Sequence, residues 1–157
     1  MKKIEENMLK KDTSSKILAW YAASKEWIST IEFYLDSFFT MKNIIDRYLD
    51  KILKNENLDE IRECVMRLQD IRYSCSEALE KVKLHKGVLV EFQDKKLQPI
   101  ASLEKEHLRL KKIMGTCHKN FKEIKNEVFS ITEHTLQISK EENLAIELEK
   151  IKVARNN

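Results

Sequence analysis

Apolar residues recur every seven positions along most of the chain, in paired series set three or four residues apart. Trp27, Tyr34, Met41 and Tyr48 form one series, and Ile31, Phe38, Ile45 and Ile52 form its companion. Such a pair is the a/d seam of a helix packed in coiled-coil fashion, sustained here over four heptads. Ile28, Leu35, Phe39 and Leu49 widen the seam into a stripe that can face more than one neighbour. The spacing predicts a first helix over about residues 15–54, with the preceding dozen residues frayed or weakly helical.

The stretch NENLDE then interrupts the pattern. Asn57 can accept a hydrogen bond from the free amides of a new first turn, and Glu60 follows three residues on, close to a capping box. A second helix is expected over about 58–97. Its seam is Ile61, Leu68, Cys75, Val82 and Leu89, with Cys64, Ile71, Ala78, His85 and Phe92 as companions. Gly87 lies inside it at a cost of ~1 kcal/mol against alanine, without shifting the register. Gln98-Pro99 is the expected break, because proline lacks an amide hydrogen yet fits the first turn of a following helix.

A third helix over about 100–138 carries Leu103, Leu110, Cys117, Ile124, Ile131 and Ile138, with Ile100, His107, Met114, Phe121 and Val128 alongside. Ser139 to Glu142 resembles another capping box. Residues 140–154, striped by Leu144, Leu148 and Ile151, are either a short separate helix or a continuation. Three helices of similar length joined by short connections must pack antiparallel. The expected fold is all-α: an elongated up-down-up three-helix bundle with a short C-terminal helical extension, in a single domain of residues 1–157. Two glycines and one proline leave few turns for a sheet protein of this size.

Three segments, EWISTIEFYLDSFF, EKEHLRLKKIM and FKEIKNEVF, resemble a group of short uncharacterised bacterial helical-bundle proteins. These place a helix rich in Trp and acids first and a Glu-His helix last. The resemblance implies a helical bundle and carries no activity with it.

Charge sharpens this picture only locally. The net charge of +3 is weak for a nucleic-acid binder. Lys105 to Lys125 holds seven bases and two acids, whereas Glu26 to Asp50 holds five acids and two bases. Solvated helix faces account for this, and a basic strip for an acidic partner is the sharper reading. MKKIEENMLKK continues charged where the apolar core of a signal peptide should follow, and no apolar run reaches the ~18 residues of a membrane span. Cys64, Cys75 and Cys117 form no C-x-x-C pair, so reduced thiols in a cytoplasmic protein are expected.

Candidate chemistry centres on Glu104-x-x-His107, the spacing with which di-iron bundles hold metal. That site needs a second Glu-x-x-His, and residues three before His85, His118 and His134 are Val82, Gly115 and Ile131. A looser layer remains. His85 and His107 both occupy seam positions, and antiparallel pairing about residues 55 and 98 sets His85 opposite Glu26. Glu26, His85, Glu104 and His107 could then gather as a metal or polar site; equally, each histidine could be a hydrogen-bonded core residue. The aromatics of the first helix reach more than halfway around it, so some of Trp20, Tyr21, Trp27 and Phe39 should face a partner. No phosphate loop or nucleophilic triad is legible. The expected function is non-enzymatic and without a cofactor. It works through a protein partner or homo-oligomer, with neither nucleic acid nor membrane. The alternative is a metal- or small-ligand-binding bundle using the Glu/His layer.

Overall fold

The computed structural model describes the backbone of residues 2–54, 56–95, 99–139 and 142–156, and the side chains of 2–54, 56–92, 99–135 and 147–154. The described residues form five helices and no strands: α1 (Lys2–Arg47), α2 (Leu49–Ile52), α3 (Leu58–Lys95), α4 (Ile100–Ser139) and α5 (Glu142–Asn156). Most predicted seam residues are buried: Ile61, Cys64, Leu68, Cys75, Ala78, Val82, His85 and Leu89 of α3, and Leu103, His107, Leu110, Met114, Cys117, Phe121, Ile124, Val128 and Ile131 of α4, while Ile71, Phe92 and Ile100 are half-buried. The all-α helical bundle inferred from the seven-residue spacing is therefore the observed fold.

The first helix departs from its expected bounds at both ends. It begins at Lys2, because Lys, Glu, Leu and Met are good helix formers and no Gly or Pro interrupts residues 2–16. An ion pair from Asp12 to Lys16, one turn apart at 3.6 Å, adds local support. Seam burial begins only at Ile17, which is where the hydrophobic pattern can first be seen. At the other end α1 stops at Arg47. Tyr48 takes φ −108° and ψ 16° before α2 resumes, and the Ile52 amide still donates to the Tyr48 carbonyl at 2.9 Å. Asn57 caps α3 as its side chain suggests: Oδ1 accepts the Asp59 amide at 2.8 Å. The Gln98 half of the second break and the Ser139–Glu142 capping box lie outside the described residues, as do the side chains of Ile138 and Leu144.

The chain divides into two compact units, residues 1–32 with 75–116 and residues 33–74 with 117–157. In the first, Ile17, Leu89 and Leu103 form one buried cluster, and Trp20, Tyr21, Val88 and Phe92 pack against it. His85 meets His107 as Leu89 meets Leu103, so α3 runs against α4. In the second unit, Phe121 of α4 packs against Phe33, Tyr34 and Phe38 of α1. Arg67 and Glu127 join α3 to α4 there through a two-pronged ion pair. Helix α5 turns back antiparallel to α4: it buries Leu148 and Ile151, and Lys152 reaches Glu133 at 3.7 Å. This unit is thus an up-down-up-down four-helix arrangement.

Buried hydroxyls are satisfied within their own helices. Ser24, Ser37, Thr132 and Thr135 each donate to the carbonyl four residues back, at 2.8–3.3 Å. A methyl group built on Gly87 or Gly115 would meet no atom within 4 Å. Gly87→Ala and Gly115→Ala should therefore each raise stability by roughly 0.5–1 kcal/mol, through lower backbone entropy in the unfolded chain. Denaturant midpoints of the two variants check this, and a fall at either position would refute it.

Candidate functional site

Seam positions on three helices bring together two imidazoles and two indoles in the first unit. His85 of α3 and His107 of α4 are 3% and 7% exposed. A hydrogen bond of 3.1 Å joins His85 Nε2 to His107 Nδ1. Trp27 stacks on His107 at 4.7 Å between ring centres and 23° between planes, and Trp20 at 5.5 Å and 25°. The two tryptophans are seven residues apart on α1, ~10.5 Å along the axis, which is the span of two such stacks. The His107 ring is therefore inserted between the indoles.

Burial disfavours a charged imidazole, so the His85 pKa falls below its ordinary value despite the pull of Glu106. The same loss of solvent, with repulsion from His85 and Lys111, pushes His107 down to about 4. Two indole faces favour a cation on His107 by ~0.5–2 kcal/mol, less than this desolvation costs. Both rings are accordingly neutral at pH 7, one donating and the other accepting. Glu106 is itself held below the usual carboxylate range by two hydrogen bonds from Arg109, at 2.7 and 2.9 Å.

Of the four candidate ligands, the two histidines come together. Glu26 and Glu104 are exposed, and the partner of His85 is the other histidine. The reason is register. Ile17 meets Leu89, and Lys86 sits over the Tyr21 ring at 5.7 Å, so His85 lies level with residues 21 and 22 and Glu26 falls about a turn away. The α1–α3 pairing is centred near Leu53, ahead of the expected residue 55. Among the described residues no three His, Cys, Asp or Glu side chains converge as metal ligands.

Of the four partner-binding candidates, Trp20, Tyr21 and Trp27 are half-buried and Phe39 is 58% exposed. Tyr21 lies beneath two ammonium groups, Lys25 at 5.8 Å and Lys86 at 5.7 Å. Sequence reasoning missed Glu106, whose only signal is its place beside His107. It also missed the bond of 2.7 Å between the Tyr34 hydroxyl and His118 Nδ1, which joins residues remote in sequence. The cysteines are buried thiols, and burial pushes Cys64 up to about 12, with the Glu127 charge adding to it.

No family model, curated protein or solved structure matches the chain. Among the described residues, no helix is long and apolar enough to cross a membrane.

Proposed function

We propose that the protein works by protein–protein contact, in the first place with a second copy of itself, and that the exposed side of α1 supplies the surface. The observation that carries this reading is Phe39. While its three companions are engaged by His107 and lysines, Phe39 stays 58% exposed. It edges an open cleft of about 420 Å³ between α1 and α5, whose apolar walls include Phe33, Ile151 and Ala154. A large aromatic beside an apolar cleft is the usual anchor of an interface.

The charges on the rim favour a like partner. Arg47 and Glu147 neutralise each other across the cleft at 2.6 Å. Asp36 and Lys150 on the same rim carry one charge of each sign. A two-fold contact repeats every pair, so an Asp36–Lys150 pair between copies would form twice. Sedimentation velocity at micromolar concentration should show a dimer that Phe39→Glu converts to monomer with unchanged helix content. A wild-type protein that stays monomeric throughout removes the reading.

A further inference from the structure

The His85–His107 contact sets two buried, neutral imidazole nitrogens face to face. The facing atoms, His85 Nε2 and His107 Nδ1, are 3.1 Å apart. If the shared hydrogen moves to the far nitrogen of its own ring, both imidazoles stay neutral and two lone pairs point at each other. Metal–imidazole bonds are ~2 Å, so an ion in line between them needs the gap to open to about 4 Å. Binding therefore requires the two rings, inclined by 35° to each other, to swing apart by about 1 Å.

The surroundings select the kind of ion. A divalent zinc ion asks for four ligands, and among the described residues no three ligating side chains converge. One charge is far less costly to bury than two. The indole faces of Trp20 and Trp27 and the nearby Glu106 carboxylate offset part of the cost of burying that one charge. Imidazole nitrogen suits copper. We propose that His85 and His107 form a two-coordinate site for a soft monovalent metal ion of the copper(I) or silver(I) class. The rivals for such an ion are the thiols. Cys75 and Cys117 each stand ten residues from a histidine of the pair, ~15 Å along their helices, too far to ligate the same ion.

Silver nitrate in chloride-free buffer tests this on the full chain, added up to one equivalent for each of the three thiols and one for the pair. The ¹⁵N resonances of His85 Nε2 and His107 Nδ1 should move together while that of His118 Nδ1 stays. The chain has two tryptophans, both stacked on His107, so most of its indole emission should be lost in step with those shifts. The variant His85→Leu/His107→Phe should bind one equivalent fewer and keep its emission. If the two wild-type resonances do not move by the last equivalent, the site does not exist, whether or not the variant folds. Equal stoichiometry and equal quenching in a folded variant would overturn it as well.

Discussion

Phe121→Ala should lower the unfolding free energy by about 3–5 kcal/mol, the cost of removing a fully packed aromatic. Phe121 is 0% exposed. Its ring stacks on Tyr34 at 4.2 Å and 15°, with Phe38 at 5.7 Å and Phe33 at 5.9 Å. Each aromatic pair adds ~0.5–1.5 kcal/mol beyond the area it buries. The ring also joins α1 to α4, so the surrounding side chains cannot close the void without moving a helix. Phe39→Ala is the matched control, because that ring is 58% exposed and its loss should cost little at concentrations where the protein is monomeric. Denaturant unfolding of the two variants decides the matter. Similar losses for both, or a loss below ~1.5 kcal/mol for Phe121→Ala, would mean that this aromatic cluster does not hold the second unit together.

Acid should weaken the protein through the histidine pair before carboxylates matter. Both pKa values are lowered on folding, His107 from 6.5 to about 4. The fold therefore favours the neutral rings. Their contribution is complete above pH ~6.5 and is lost as pH falls towards ~4. The His107 shift alone corresponds to ~3 kcal/mol at 1.36 kcal/mol per unit, and the indole faces offset part of it, leaving about 2 kcal/mol. Unfolding measured at pH 7, 6 and 5 should show wild type losing most of that amount. The variant His85→Leu/His107→Phe should stay nearly level, since His118 and His134 are present in both proteins and cancel. A wild-type stability that does not change between pH 7 and pH 5 would contradict the assignment.

Much of the fold could be read without coordinates, for a reason visible in single residues. Ile61, Leu68, Val82 and Leu89 announce a helix because a period of seven keeps them on one face, and a face that apolar must be covered. Asn57 announces a helix start because its side chain can do what a missing carbonyl would. Residues 2–16 gave no such signal. They are helical by propensity and local charge pairing, which leave no stripe to detect.

The site was legible only in part. His85 and His107 stand out as polar residues on an apolar seam, and both are buried there. Their pairing with each other, in place of Glu26 and Glu104, turned on where the chain reverses. A shift of two or three residues in a reversal moves one helix against the next by a full turn, and seven-residue spacing is blind to that shift. The same holds for Trp20 and Trp27. Sequence shows too many aromatics for one face of α1; only the packed structure reveals an imidazole inserted between two of them, while Phe39 is left outside. Periodicity, a property of each helix alone, determined the class of fold and the buried rows. Register, a relation between helices, decided which of the polar residues in those rows would meet.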